Sequence, residues 1–332
     1  MPPVPCDAFG REIDYLRISL TDRCNLRCVY CMPLDGLSFV PTADMLTAAE
    51  IETVARAAVA VGFRKFRLTG GEPTLRADLL EIVARLSAVP GVHDIAMTTN
   101  GVLLGRLAAP LVAAGLRRVN VHLDSLDPER LARVMRWGTF DDIWAGIEAA
   151  EAAGLRPMKL NAVIARGFND EDVVGLAALT LARDWHVRLI ETMPLGVGEV
   201  GDLARTRVVP SAESRARIEA ALGRLTPLPR DYVADESRNF RLPGARGVVG
   251  FISPVTEPYC GTCNRMRLTA DGRFHLCLLR DDELDVRAAL RRGAPLEDVG
   301  AILLRAVWGK PVGHRLDAGR STERREMFQI GG

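Results

Sequence analysis

The sequence predicts an α/β fold, an incomplete six-stranded (β/α) barrel open on one side, followed by a smaller region of mixed helix and strand. Three observations predict it. Between about residues 13 and 193, short β-rich runs alternate six times with amphipathic, alanine-rich runs, the pattern of parallel strands joined by right-handed helical crossovers. Six such units fall short of the eight that close a barrel. The strand runs also alternate polar with apolar residues, whereas parallel strands buried on both faces read as continuous apolar runs.

Taken in order, strands are expected at Tyr15–Leu20, Lys65–Thr69, Asp94–Thr98, Arg118–Leu123, Met158–Ile164 and Val187–Glu191. Helices are expected at Ala48–Ala60, Ala77–Leu86, Leu103–Ala114, Phe140–Ala153 and Glu171–Ala182. Tyr15, Arg17 and Ser19 share one strand face, and Leu16, Ile18 and Leu20 the other. Lys65, Arg67 and Thr69 oppose Phe66 and Leu68; Asn120, His122 and Asp124 oppose Val121 and Leu123; Lys159 and Asn161 oppose Met158 and Leu160. If the apolar faces meet the helices, the polar faces line a common interior. Small barrels fill that interior with branched aliphatics, so a basic lining implies a charged ligand. The plainer alternative assigns the polar faces to solvent-exposed strand ends.

Beyond Met193 the pattern changes. Gly196–Gly201 reads as a loop and Ser211–Leu222 as a helix. Gly247–Ser253, Arg265–Thr269 and Phe274–Leu278 read as a small antiparallel β region, with Ala270–Arg273 as the turn between the last two. Helical patterns return at Val286–Arg291 and Leu296–Trp308, and a basic tail from Arg315 ends in Gly331-Gly332. The change divides the chain into a barrel of residues 1–195 and a C-terminal region of residues 196–332.

Composition narrows the function. A chain of 332 residues that is 48% hydrophobic can bury a core without its seven cysteines acting as staples. Basic residues (43) nearly balance acidic ones (42), so neither nucleic acid nor a membrane surface is an expected partner. Affinity for an anion must come from local clustering. Met1 to Phe9 lacks the basic and apolar parts of a signal peptide, and no apolar run is long enough to span a bilayer. The expected compartment is the cytoplasm, where free thiols serve as metal ligands or catalytic groups.

The strongest local signal is Cys24-Asn25-Leu26-Arg27-Cys28-Val29-Tyr30-Cys31, just past the first strand. A cubane [4Fe–4S] cluster takes four ligands, so three thiolates leave one iron open. Structural zinc asks for a fourth protein ligand, and none stands nearby. Gly70-Gly71-Glu72-Pro73 follows the second strand, with two glycines that let backbone approach a ligand and Pro73 in the first turn of a helix. A second triad comprises Cys260, Cys263 and Cys277. Ligand counting alone leaves zinc and iron–sulfur equally open there, because His275 shares the strand face of Cys277 and completes a Cys3His set. Cys6 has no partner motif and reads as an incidental thiol.

The spacing of Cys24, Cys28 and Cys31, with an aromatic before the third, resembles the radical S-adenosylmethionine (SAM) signature, and Gly70–Pro73 resembles that superfamily's contact to the SAM methionine group. Together with Tyr15–Ser19, Arg67–Arg76, Thr98-Thr99-Asn100-Gly101, Arg188–Met193, Tyr259–Arg267 and Ile330-Gly331-Gly332, the motifs resemble the GTP 3′,8-cyclase family of molybdenum cofactor biosynthesis over nearly the whole chain. The resemblance implies a partial TIM barrel whose mouth is closed by the C-terminal α+β region. It implies two [4Fe–4S] clusters, held by Cys24, Cys28 and Cys31 and by Cys260, Cys263 and Cys277, with His275 a bystander. It implies further that SAM chelates the open iron of the first and the guanine of GTP binds the open iron of the second, and that a 5′-deoxyadenosyl radical takes the ribose 3′ hydrogen, the carbon radical then attacking guanine C8 to give 3′,8-cyclo-7,8-dihydro-GTP.

Carried over by motif position, Arg17, Arg67, Thr98, Lys159, Arg265 and Arg267 match the family's GTP contacts, and Arg188 is a further candidate. Guanidinium groups suit the task because they hold phosphate oxygens bidentately. Tyr30, Gly71 and Met193 match SAM contacts. His122 stands where the family usually has Ser; imidazole donates a hydrogen bond as a hydroxyl does but is bulkier. The Gly331-Gly332 tail is expected to reach the active site, anchored near phosphate or acidic surface by Arg320, Arg324 and Arg325. The resemblance further implies a flavodoxin- or ferredoxin-like electron donor and a downstream cyclic pyranopterin monophosphate synthase. Oligomeric state is left open, a homodimer being one option. The competing readings are a radical SAM enzyme with an auxiliary cluster that modifies a peptide, and a zinc-stabilised binding module.

Overall fold

The computed structural model describes residues 2–196, 198–229, 235–316 and 324–331. The expected strand–helix alternation forms, with bounds within a residue or two, and gains one helix that was not expected, α4: β1 (Tyr15–Ser19), α1 (Ala48–Ala60), β2 (Lys65–Thr69), α2 (Leu79–Ala88), β3 (Asp94–Thr99), α3 (Leu104–Ala114), β4 (Arg118–His122), α4 (Pro128–Met135), α5 (Phe140–Ala152), β5 (Lys159–Ile164), α6 (Val173–Ala182) and β6 (His186–Glu191). Local chemistry sets several starts. Thr47 caps α1 in a reciprocal box with Glu50, and Asp127 accepts from the amides of Glu129 and Arg130 ahead of Pro128 at the first turn of α4.

The second half contributes α7 (Gly198–Thr206), α8 (Ser211–Leu222), β7 (Thr226–Pro227), β8 (Arg238–Arg241), β9 (Val248–Ile252), β10 (Arg265–Leu268), β11 (Arg273–His275), β12 (Glu283–Asp285), α9 (Arg287–Arg291), α10 (Leu296–Trp308) and α11 (Met327–Ile330). All twelve strands join one sheet in the order β12-β11-β10-β1-β2-β3-β4-β5-β6-β9-β8-β7. This corrects the expected six strands with a separate antiparallel region. β10 pairs in parallel with β1, and β9 in parallel with β6, so eight parallel strands form the centre. Antiparallel hairpins finish each edge, and the sheet stays open. The turn at Ala270–Arg273 does join antiparallel β10 and β11. Gly198–Thr206 is helical rather than loop, because Val200, Gly201 and Ala204 bury one side of it.

The apolar strand faces meet the helices as expected. Leu16, Ile18, Phe66, Leu68, Val121 and Leu160 join Ile51, Val54, Ile82, Leu111, Ile147 and Leu176 in one core. Burial of each such side chain contributes about 1.5–3 kcal/mol, and this layer fixes the opposite, polar face as the wall of a cavity.

Candidate active site

The first triad occupies the loop leaving the C-terminal end of β1. Backbone amides of Arg27 and Val29 donate to the carbonyls of Met135 and Val134 at the end of α4, each at 3.0 Å, which pins the loop. The Arg27 guanidinium donates to the Cys24 and Leu26 carbonyls at 2.9 and 2.7 Å and lies 4.1 Å over the Trp137 ring. A Cβ on Gly70 would stand 2.5 Å from the Thr21 carbonyl, and one on Gly71 2.4 Å from that of Arg23. The two glycines therefore let this loop lie against the chain's own backbone, sealed by Gly71 N–H donating to Thr21 at 2.7 Å. Burial pushes the Cys24 thiol up to about 11 and raises Cys28 and Cys31 as well.

The second triad lies at the other end of the strands. Cys260 and Cys263 precede the N-terminal end of β10, Cys277 follows antiparallel β11, and β10 runs parallel to β1 in register, Tyr15 beside Arg265. The two triads are thus separated by the length of β1, roughly 15 Å, and all six cysteines line one cavity of about 280 Å³. The electrostatics of the two ends differ. Burial would raise Cys263, but Arg265 and the buried Lys310 bring it down to about 6. His275 turns away from the thiols: it is absent from the cavity wall, and its Nδ1 lies 3.0 Å from Glu283.

Between the triads the wall is cationic. Arg17, Arg67 and Arg267 occupy the same level of three adjacent strands, where like charges directly opposite repel. Arg17, Thr98, Arg188, Arg265 and Arg267 line the cavity; Arg67 and Lys159 do not. Arg67 is instead held behind the wall by the Tyr15 hydroxyl and by Thr98 Oγ1 at 3.1 Å. Burial pushes Arg267 down to about 9, Arg188 to about 10 and Lys159 to about 8, with neighbouring cations adding to each shift. The Nε of Arg17 is buried with no hydrogen-bond partner among the described residues. Arg267, Arg188 and Lys159 thus mark a part of the wall short of anionic charge, a condition that suits a polyanion, whereas Arg265, against the pull of burial, is raised by Cys263 and Glu236.

Sequence reasoning missed two residues here. Glu236 reaches Arg265 at 2.7 Å, Arg17 at 3.2 Å and Arg188 at 3.7 Å. Burial alone would raise its carboxyl, yet Arg265, Arg17 and Arg188 hold it well below the usual carboxylate range. Lys310 donates to the Leu276 carbonyl at 2.9 Å beside Cys277. A usable signal existed for Lys310: lysine occurs only at positions 65, 159 and 310, against arginine at every other basic position. Glu236 had none.

Near the first triad, the Tyr30 hydroxyl donates to Asp124 Oδ2 at 2.6 Å and lies 2.5 Å from His122 Nε2, which is itself 2.9 Å from Asp124 Oδ1. Burial opposes a charge on His122, but Asp124 prevails and holds the imidazole above its ordinary range. Tyr30, Gly71, His122 and Met193 all line the same cavity. The tail returns to it too. Gly331, in the left-handed region at φ +79°, accepts from Arg267, and Arg325 pairs with Glu283 at 2.5 Å and Asp271 at 2.9 Å, an acidic anchor. The Arg324 amide donates to Asp281 at 3.2 Å; Arg320 and Gly332 lie outside the described residues.

The donor chemistry suits iron–sulfur clusters: each end offers three free thiols and a cavity-facing side. Among the described residues no three His, Cys, Asp or Glu side chains close on a single-ion geometry. Comparison with known proteins agrees. Residues 18–180 match the Radical SAM superfamily and residues 185–316 the family described as Molybdenum Cofactor Synthesis C. The chain is 48% identical to the GTP 3′,8-cyclase of Pelotomaculum thermopropionicum, over 98% of this chain and 99% of that one. It is 46% identical to that of Moorella thermoacetica over the same shares. Among solved structures it resembles Streptococcus suis SuiB bound to precursor peptide SuiA, with a TM-score of 0.60 at 16% identity, over 90% of this chain and 65% of that one, a likeness of fold alone. The chain belongs to the GTP 3′,8-cyclase family of radical SAM enzymes.

Proposed function

We propose that this chain converts GTP to 3′,8-cyclo-7,8-dihydro-GTP, the first step of molybdenum cofactor formation. The observation that carries the reading is the arginine wall, with cations in excess of Glu236, set between two thiol triads. In the proposal Cys24, Cys28 and Cys31 hold one [4Fe–4S] cluster, and Cys260, Cys263 and Cys277 hold the other. When bound, the first cluster with SAM supplies the 5′-deoxyadenosyl radical that removes the ribose 3′ hydrogen and so starts closure onto guanine C8.

The chain's own residues position and shield. Tyr30, Gly71, His122 and Met193 surround SAM, with Asp124 fixing Tyr30 and His122 through its two oxygens. Arg17, Arg188, Arg265, Arg267 and Thr98 hold the triphosphate directly, and Arg67 and Lys159 support them from behind through charge. Gly331 closes the chamber on the side of Arg267. Fixed donors and charges of this kind lower the barrier by orienting the ribose and by needing no rearrangement during reaction.

The division into residues 1–195 and 196–332 belongs to the same proposal, supported by one triad on each side of it. So does the partial barrel, supported by a single cavity that reaches from β1 to β6. The reaction needs electrons delivered singly, which a flavodoxin- or ferredoxin-like donor supplies, and its product requires a synthase acting downstream. Among the described residues no helix is long and apolar enough to cross a membrane, in keeping with a cytoplasmic setting. A peptide substrate without acidic side chains would leave the cations in excess of Glu236 unmatched.

The test is anaerobic incubation of the iron-loaded protein with SAM, reductant and GTP, followed by mass spectrometry. One hydrogen leaves C3′ and one proton and electron return to the base, so the product keeps the mass of GTP but fragments differently. One 5′-deoxyadenosine accompanies each turnover. Formation of 5′-deoxyadenosine with GTP unchanged would refute the assignment.

A further inference from the structure

We propose that Glu236 is a built-in stand-in for one phosphoryl group of the substrate, and that it sets the site's preference for triphosphates by having to be displaced. The inference rests on the nucleoside triphosphate reading of the chamber. Glu236 lies just ahead of β8, while the arginines it meets come from β10, β1 and β6. These three side chains are 10%, 13% and 3% exposed, and that of Glu236 is 15% exposed. A carboxylate offers two oxygens to converging guanidinium forks, the same geometry that a terminal phosphoryl group presents. Its position therefore marks where an anionic group is most strongly drawn.

The carboxylate has somewhere to go. Glu236 lines the main cavity and also a smaller adjoining pocket of about 210 Å³, bounded by Arg238, Ser253, Glu257 and Thr262. Rotation of its side chain from the first to the second would free Arg17, Arg188 and Arg265 together. Without a ligand, Glu236 relieves repulsion among these crowded cations. With a ligand, the incoming group must match or exceed what the carboxylate supplied. A triphosphate has charge to spare for this, and a monophosphate does not. The consequence is discrimination by phosphate number, bought with some absolute affinity.

Calorimetry on the anaerobically prepared, iron-loaded protein tests this with inorganic tripolyphosphate, GTP, GMP and guanosine as probes. The variant Glu236→Gln keeps the shape and removes the competing charge. With the competing like charge removed, it should bind tripolyphosphate and GTP about tenfold tighter or more. Guanosine binding should stay unchanged, and GMP should gain at least as much as GTP, which narrows the ratio between them. Glu236→Asp keeps a buried negative charge on a shorter arm and should show a smaller gain of the same sign, which covers the case in which the Gln variant fails to fold. Equal or weaker tripolyphosphate binding in Glu236→Gln, or in Glu236→Asp where only that variant folds, would overturn the inference, because Glu236 would then merely scaffold the arginines. Tighter tripolyphosphate binding in a protein whose wild type leaves GTP unconverted would keep the stand-in and remove the cyclase reading instead.

Discussion

The Arg11 guanidinium donates at 2.7 Å to the carbonyl of Cys260, 249 residues along the chain. The same group reaches the carbonyls of Val312 at 2.9 Å and Pro311 at 2.7 Å, and Asp7 at 2.6 Å holds it in place. One side chain near the start of the sequence thus ties together the two segments that flank the second thiol triad.

Arg11→Met should therefore loosen that triad selectively. Three backbone carbonyls lose a charged donor and buried Asp7 loses its partner, a change of the class that costs about 3–5 kcal/mol. After anaerobic reconstitution the variant should retain about half of the wild-type iron and still cleave SAM, while GTP conversion falls. Iron analysis with spectroscopy of the cluster signals decides it, and full iron content would show that the tie is dispensable.

Lys159 predicts a pH dependence. Burial, then Arg188 and Arg118, push its ammonium down to about 8, and a polyanion seated on Arg188 would pull it up again. Binding then takes up a proton above pH 8, so affinity is flat below that value and declines as pH rises through it. Tripolyphosphate titrations from pH 7 to 9.5 should show the decline in the wild type relative to Lys159→Met, whose own ligand titration serves as the baseline. Lys159→Arg, whose guanidinium titrates higher than an ammonium in the same place, should move the decline to higher pH.

His122 is shifted the other way, yet its contribution too is lost as pH rises. Asp124, against the pull of burial, holds the imidazole above its ordinary range, so the pair contributes stability that is fully present below about pH 6.5 and is lost as pH rises through the raised value. His122→Ser should lower the melting temperature more at pH 6 than at pH 9. The Tyr30–Asp124 bond survives the substitution, so SAM affinity should change by only a few-fold. Equal losses at both pH values would mean that the imidazole is neutral.

How much of this was legible depended on the range of the interactions. β1 to β6 follow from local alternation, and of the polar faces that predicted an interior wall Arg17, Thr69, Asn120, His122 and Asn161 do line the cavity, whereas Arg67 and Lys159 do not. Val248–Ile252 reads Val-Val-Gly-Phe-Ile, the continuous apolar run of a strand buried on both sides, but nothing local says that its partner is β6. The α7 segment contains glycines whose low propensity argued for a loop until tertiary packing overrode it. Glu236 sits in a stretch without periodicity and meets Arg17 across 219 residues, a contact that only the folded chain can make.

Gly331 supplies the sharpest test of the tail. A Cβ there would stand 2.6 Å from Thr69 Cγ2 and 3.2 Å from Ser19 Cβ, and the backbone is left-handed. Phe328 and Ile330 just before it are buried, so the segment is docked by packing, and Gly331 fixes only its last step into the chamber. Gly331→Ala should therefore leave α11 in place while moving the Gly331 carbonyl away from Arg267. Global stability should fall by no more than about 1–3 kcal/mol, the scale of a single strained residue. Iron content and basal SAM cleavage should remain, and cyclisation should drop steeply because Arg267 is no longer held against the tail. Limited proteolysis with carboxypeptidase should remove the end faster than in the wild type. A variant that cyclises GTP at the full rate would show that the tail's entry between β1 and β2 is a packing detail without a part in the reaction.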